Sequence, residues 1–346
     1  MDNITHTLTG LALSQAGLNR KTRFATLALV VGANLPDLDV LWSSGGGGAN
    51  YLKYHRGITH SLLGVTVLGA ALAGLLYYLG RQFPKSKAEA IEAPKVNAPP
   101  LDVRWLFGIC WIATGSHLLM DFTNAYGVRL FLPFSDRWYA WDIMPIIDLV
   151  LLLALILGLG IPALLRAISE EVGARKPAYQ RGAIFSLVLL VLLWGLRDLA
   201  HRRVLGMLDG HTYEDENPVG LGAFPTFVNP FAWTGVVETS SSFHLLSVNA
   251  LASDVDPRQS RDFPKPDPSP PLEAALKTQT GIVFAHFSRF LWSQVEETDE
   301  GDEVTLRDLR FASPTEGRLG FAARITLDKN LRVVSEWFSF TGQRRN

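Results

Sequence analysis

Four long apolar stretches limit what this chain can fold into more than any other feature of its sequence. A helix needs roughly 20 mostly apolar residues to cross a bilayer. Such stretches occupy residues 58–79, 105–122, 144–165 and 183–200. Residues 4–18 and 22–42 predict two further helices, the first short and the second apolar as far as Asn34 and Pro36. The sequence therefore predicts a polytopic helical membrane domain.

Arginine and lysine residues cluster in alternate loops between these helices, at residues 20–23, 81–104 and 166–181. Short cytoplasmic loops carry an excess of these residues. One orientation places all three clusters inside, with the N-terminus and the tail outside. Arg197 and Arg202, near the last outer end, argue mildly against it. We predict a multi-pass membrane protein whose C-terminal domain is outside.

The tail after the last apolar stretch predicts a smaller soluble domain rich in β-strands. Strand signals occupy residues 281–295, 304–311, 321–327 and 331–338, and the last two flank a turn at Asp328-Lys329-Asn330. Residues 254–271 are rich in proline and aspartate and predict an exposed loop. His244 and His286 lie in apolar patterns and are predicted to be ordinary half-buried residues. The fold class is therefore mainly α, with a helical membrane domain over residues 1–203 and a β-rich domain over residues 204–346.

Charge and cysteine content narrow the function classes. The formal net charge is -1, so no overall basic field favours nucleic acid as a partner. Cys110 is the single cysteine and lies in an apolar stretch. A disulfide or a thiolate zinc site within one chain is therefore excluded.

The best local signal for chemistry is His117-Leu-Leu-Met-Asp121. Residues four apart share one face of a helix, so an imidazole nitrogen and a carboxylate oxygen there can bind one metal ion. Ionisable groups in membrane segments are costly and usually face a polar interior. The alternative is a His–Asp hydrogen bond that fixes helix packing.

A second cluster is His55-Arg56-Gly57-Ile58-Thr59-His60-Ser61. Gly57 and Thr59 suggest a turn before a helix, which lets His55 approach from the loop and His60 from the first helical turn. Arg56 and the helix N-terminus favour an anion such as phosphate. The alternative is a polar turn at the membrane interface.

Two further places carry candidate ligands. Asp37 and Asp39 follow an apolar helix and can hold a cation, or one can bind while the other orients a ligand. A capping turn is the alternative there. His6 lies in the apolar N-terminal helix, where a lone histidine is more often structural.

These clusters gain weight together because all of them fall at or near the predicted outer ends of their helices. Neutral imidazoles with carboxylates and no thiolates suit Zn²⁺ best, with Mn²⁺ or Fe²⁺ as alternatives. A bound metal would lower the pKa of a water molecule and provide a nucleophile.

The clusters at residues 36–39, 55–61 and 117–121, with His6, resemble the YdjM-type family of membrane-bound metal-dependent hydrolases. The resemblance covers roughly residues 1–165. It implies an inner-membrane protein with distant similarity to zinc-dependent phospholipase C and P1-type nucleases, enzymes that also use a free amino terminus as a ligand. Carried over by motif, the candidate metal ligands are His55, His60, His117, Asp121, Asp37 and Asp39, with His6 weaker.

The first hypothesis is therefore a hydrolase acting on a phosphoester, of a membrane lipid or a small molecule, with an ester or amide substrate as an alternative. Arg56 would bind the substrate anion, and Asp37 or Asp39 would be a ligand or the general base. One alternative is an ion- or proton-coupled transporter whose polar groups lie at several membrane depths, with Asp148 as the main candidate at mid-helix. The other is a non-catalytic membrane protein with a partner-binding tail.

Overall fold

The computed structural model describes residues 1–43, 47–83, 99–171, 179–315 and 320–339. The chain divides into two compact units. The first unit comprises Met1–Asp39 and Arg56–Leu196, and the second comprises Val40–His55 and Arg197–Asn346. The described helices are α1 (Asn3–Gln15), α2 (Ala25–Gly32), α3 (Val40–Ser43), α4 (Gly47–Tyr54), α5 (Leu62–Gln82), α6 (Val103–Phe122), α7 (Leu149–Glu171), α8 (Tyr179–Asp209), α9 (Pro270–Leu276) and α10 (Gln279–Phe287).

Four of the described helices, α5 to α8, are long and apolar enough to cross a membrane. They correspond to the four predicted stretches. Helices α5 and α7 begin later than predicted, and in each case a capping hydrogen bond fixes the first residue. Helix α5 begins at Leu62 rather than residue 58, because Ile58–His60 forms a 3-10 turn and the Ser61 hydroxyl caps the helix through the Gly64 N–H at 2.9 Å. Helix α7 begins at Leu149, because the Asp148 carboxylate accepts a hydrogen bond from the Leu151 N–H at 2.8 Å.

The predicted helix over residues 22–42 is interrupted. Helix α2 ends at Gly32, and a 3-10 helix over Pro36–Asp39 follows. The residue before a proline is disfavoured in helical conformation, which accounts for the break at Leu35. The break puts Asp37 and Asp39 on a short turn directly after an apolar helix.

Small residues let the helices of the first unit approach closely. A Cβ atom on Gly10 of α1 would lie 2.5 Å from the Leu29 carbonyl oxygen of α2. A Cβ atom on Gly32 would lie 2.7 Å from the Ala113 Cβ of α6. Close backbone approach at small residues is typical of packing between membrane helices. It brings the ends of α1, α2, α5 and α6 together.

The second unit contains, among its described residues, two four-stranded antiparallel sheets of consecutive strands. The first sheet consists of β1 (Gly220–Pro225), β2 (Ala232–Glu238), β3 (Ser242–Asn249) and β4 (Arg261–Pro264). The second consists of β5 (Leu291–Thr298), β6 (Gly301–Asp308), β7 (Ala322–Asp328) and β8 (Val333–Ser339). The predicted hairpin around residues 328–330 is confirmed as β7 and β8.

Two predictions for the tail were wrong in part. Residues 281–295 were predicted as a strand or a pair of strands, but α10 runs to Phe287 and β5 begins at Leu291. The cause is a cap: the Thr278 side chain accepts from the Gly281 N–H at 3.0 Å and starts a helix. The predicted exposed loop over residues 254–271 contains β4, which pairs with β3.

The two tail histidines are not half-buried as predicted. His244 on β3 is buried, and its Nδ1 pairs with Asp262 at 2.7 Å. His286 near the end of α10 is exposed.

Candidate metal centre

Asp37, His60, His117 and Asp121 form one compact group in the first unit. Asp37 comes from the 3-10 helix over Pro36–Asp39, and His60 from the turn before α5. His117 and Asp121 lie one turn apart at the end of α6. Both histidines and Asp121 are fully buried, and the Asp37 side chain is 12% exposed.

The distances within this group match the edges of a tetrahedral metal site. His60 Nε2 and His117 Nε2 are 3.0 Å apart. Asp37 Oδ1 lies 3.3 Å from His60 Nε2 and 3.5 Å from His117 Nε2. Asp121 Oδ2 lies 3.5 Å from His60 Nε2 and 3.6 Å from His117 Nε2. Zinc bonds of about 2.0–2.1 Å in a tetrahedron require ligand atoms to be about 3.3–3.4 Å apart. The four groups therefore fit one zinc-sized cation.

The outer hydrogen bonds of the two histidines point their lone pairs at the same place. His117 Nδ1 lies 2.7 Å from the Ala33 carbonyl oxygen, which only accepts, so Nδ1 carries the proton and Nε2 the lone pair. The Thr59 hydroxyl donates to Asp39 Oδ2 at 2.8 Å, so its oxygen accepts from His60 Nδ1 at 3.0 Å, which assigns the same tautomer to His60. Two neutral Nε2 acceptors at 3.0 Å cannot satisfy each other, whereas a cation between them can.

Asp37 faces the Nε2 atoms of the two histidines, whereas Asp39 lies on the other side of the His60 ring. Its Oδ2 accepts from the Arg56 backbone N–H at 3.0 Å and from the Thr59 hydroxyl at 2.8 Å, besides facing His60 Nδ1. A carboxylate behind the distal nitrogen of a ligand histidine fixes the orientation of the ring. Asp39 therefore orients His60 instead of facing the Nε2 atoms.

Arg56 is buried against the same centre. Its Nε lies 3.0 Å from Asp121 Oδ2, and its Nη1 donates to Asn124 Oδ1 at 2.9 Å. Its guanidinium also lies 4.7 Å from the ring centroid of Tyr126. The Arg56 guanidinium thus balances the negative charge of Asp121, one of the four candidate metal ligands. Its predicted role as the binder of a substrate anion stays a prediction.

The second oxygen of Asp121 faces a separate set of groups. Asp121 Oδ1 contacts the amino group of Met1, so an amino terminus lies at the centre, which the sequence did not place there. The same oxygen lies 3.3 Å from His6 Nε2, and the His6 ring stacks on His117 with centroids 3.9 Å apart. His6 is buried, and neither of its ring nitrogens makes a hydrogen bond with a residue that the structure describes. His6 therefore presents unsatisfied nitrogen atoms at the edge of the centre.

Two other residues from the sequence analysis have local roles. His55 belongs to the second unit, where its ring lies 4.6 Å from that of Tyr51. Its predicted ligand role stays a prediction. Asp148 caps α7 rather than lying within that helix, which removes the mid-helix position that made it a candidate relay group.

Comparison with known proteins agrees with this arrangement. A family profile described as YdjM inner membrane protein matches residues 1–204, which contain the whole group. The chain belongs to the YdjM inner membrane protein family. It is accordingly a multi-pass inner-membrane protein, and its four long apolar helices fit that location. The resemblance to the YdjM family, predicted from the motifs at residues 36–39, 55–61 and 117–121, is confirmed. Metal-dependent hydrolysis by the family stays a prediction.

The C-terminal part of this YdjM family member has its own match. A profile described as YfhP C-terminal alpha/beta plait domain matches residues 270–344. Over 354 aligned positions the chain is 23% identical to uncharacterized protein YfhP of Bacillus subtilis (strain 168), covering 99% of this chain and 95% of that protein. No solved structure shows significant similarity to the chain.

Proposed function

We propose that this chain is a membrane-embedded, metal-dependent hydrolase that cleaves a phosphoester in a lipid-like or small-molecule substrate. One observation carries the proposal: two imidazole nitrogens and two carboxylate oxygens lie within 4.8 Å of one another in a buried site. Buried charges persist in such a site only when they are paired or bind a cation. Imidazole and carboxylate ligands favour Zn²⁺, with Mn²⁺ and Fe²⁺ as alternatives.

A bound divalent cation would supply Lewis-acid activation of a water molecule. Catalytic zinc sites keep three protein ligands and one open position, whereas four protein ligands close the site. Asp37 is the most exposed of the four groups and comes from a short turn rather than from a long helix. It is the ligand that we expect to yield its place to water.

Each residue then has a distinct part in the reaction. Hydrolysis of a phosphoester adds water across a P–O bond, so one group must accept a proton from the water molecule. We assign that role to Asp37. Asp39 holds the His60 ring in its ligating tautomer, and Arg56 balances the charge of Asp121.

The test is hydrolysis of a chromogenic phosphodiester and of phospholipid vesicles by the protein reconstituted with each ion. The Asp37→Asn variant keeps a polar side chain but loses the base. We expect it to retain metal and to lose about 100-fold or more in rate, the usual contribution of a general base. Asp102→Asn is the control, because Asp102 only caps the opposite end of α6.

Full activity in Asp37→Asn would refute the role of Asp37. Absence of hydrolysis of every phosphoester by the metal-loaded wild type would refute the proposed reaction. Asp148 gives the transporter hypothesis no group at mid-helix, because that residue caps the start of α7.

A further inference from the structure

An apolar groove runs along the surface of the first unit between α5 and α6. It has a volume of about 640 Å³. Its walls include Leu62 and Thr66 of α5 and Trp111, Gly115, Leu119 and Phe122 of α6. Both helices belong to the candidate membrane spans, so the groove faces the hydrocarbon of the bilayer.

The few polar groups in the groove are satisfied within the protein. The Thr66 hydroxyl donates to the Leu62 carbonyl oxygen at 2.7 Å and accepts from Trp111 Nε1 at 3.3 Å. The Ser116 hydroxyl donates to the Ala113 carbonyl oxygen at 2.8 Å. The walls therefore present hydrocarbon to a ligand and select an apolar chain.

The α6 wall of the groove is about as long as one leaflet of a bilayer is thick. From Trp111 to Phe122 a helix rises about 16 Å at 1.5 Å per residue. One leaflet contributes about 15 Å of hydrocarbon, half of the bilayer core. The groove occupies the C-terminal half of α6, so it spans the leaflet on the side of the metal centre.

One end of the groove adjoins the candidate metal centre along the chain. Phe122 directly follows Asp121, and Leu62 lies two residues after His60. The Leu62 N–H donates to the Leu130 carbonyl oxygen at 3.0 Å, and Leu130 lines the groove at this end of α5. A chain lying in the groove therefore ends at the helix termini that hold the ligand residues.

We infer that this groove binds one acyl chain of a glycerophospholipid and so places the phosphate of that lipid at the end of α6 beside the metal centre. The occupant is a lipid of the leaflet on the centre's side, because the groove opens to hydrocarbon, its α6 wall is about one leaflet long, and it ends next to the ligand residues along the chain. That this lipid is the substrate rests on the proposed function. The binding of the lipid in the groove does not depend on the proposed function.

Two glycines on α6 provide a matched pair of variants. A Cβ atom on Gly115 meets no atom within 4 Å, so Gly115→Leu fills the groove without disturbing the helix packing. Gly108 is equally open but does not line the groove, so Gly108→Leu adds the same bulk elsewhere on α6. The measurement is native mass spectrometry of each full-length protein after extraction from membranes and delipidation in detergent.

We expect the wild type and Gly108→Leu to retain about one phospholipid per chain, and Gly115→Leu to retain at least ten-fold less. Equal retention by Gly115→Leu, no retained lipid in the wild type, or a retained free fatty acid would each overturn the inference. The His117→Ala/Asp121→Ala double variant separates this inference from the hydrolase. It should lose metal and activity yet keep the lipid.

Discussion

Replacing Asp39 by asparagine should weaken metal binding without removing a ligand that faces the centre. Asp39 Oδ2 accepts hydrogen bonds from the Arg56 N–H and the Thr59 hydroxyl, and it faces His60 Nδ1 at 3.3 Å. An amide oxygen can keep the first two contacts. It cannot supply the negative charge that lies 3.3 Å from His60 Nδ1 and also acts on that nitrogen through the Thr59 hydroxyl, and this charge raises the basicity of His60 and holds its ring.

The expected size follows from comparable groups behind metal-ligating histidines. Removing such a carboxylate typically costs about 10- to 100-fold in metal affinity, or about 1.4–2.8 kcal/mol. The backbone contact at Arg56 N–H limits the loss, because the 3-10 turn that carries Asp37 should stay in place. We therefore expect the Kd for Zn²⁺ to rise by roughly one to two orders of magnitude.

The assay is competition for Zn²⁺ between the purified protein in detergent and a chromophoric chelator. Asp102→Asn is the control, since that carboxylate caps α6 at the end far from His117, and its Kd should equal that of the wild type. An unchanged Kd in Asp39→Asn would refute the orienting role. Complete loss of binding would instead make Asp39 a direct ligand, which contradicts the assignment made here.

Three further outcomes follow from the structure. Gly64→Ala should lower the free energy of unfolding by about 1–3 kcal/mol and reduce the metal content. The added Cβ would lie 1.7 Å from the Ile58 carbonyl oxygen, in the turn that carries His60. Denaturant unfolding in detergent measures the first effect and metal analysis the second. Arg310→Met should destabilise the second unit by about 3–5 kcal/mol. The Arg310 guanidinium lies 2.6 Å from the buried Asp308 carboxylate, and the substitution removes this charge partner. The midpoint of thermal unfolding measures the loss of stability. Zinc affinity should fall as the pH is lowered, because protons compete for the imidazole lone pairs; a pH-independent Kd would contradict histidine ligation.

The ends of the helices and the identity of the ligand set were predictable to different degrees. Apolar length alone located α5 to α8, since a bilayer sets a minimum span. The spacing of His117 and Asp121 predicted a shared helical face, and the structure has them on one. Capping groups fixed the true helix starts, and these depend on single hydrogen bonds that a hydropathy pattern does not contain.

The division of labour between Asp37 and Asp39 was not predictable from the sequence. Both were ligand candidates, and only the 3-10 geometry separates the carboxylate that faces the Nε2 atoms from the one behind His60. The contacts of the Met1 amino group with Asp121 and of Asn124 with Arg56 were not predictable from the sequence, because they join residues far apart in the chain. Long-range contacts of this kind are set by helix packing.

In the tail, alternation of apolar residues identified the hairpin of β7 and β8 but misassigned α10. The segment from Gln279 to Phe287 is apolar and aromatic, a composition that suits either a strand or a buried helix. The hydrogen bond from the Gly281 N–H to the Thr278 side chain caps the segment and favours the helix. A capping signal therefore outweighed composition.

The most direct test of the central claim is the metal content of the purified protein. Zinc, manganese and iron per chain should be quantified in the wild type and in His117→Ala/Asp121→Ala, both prepared in detergent without chelator. We predict about one equivalent or more in the wild type and loss of it in the double variant. No metal in the wild type, even after reconstitution with each ion, would contradict the metal centre and with it the proposed hydrolase.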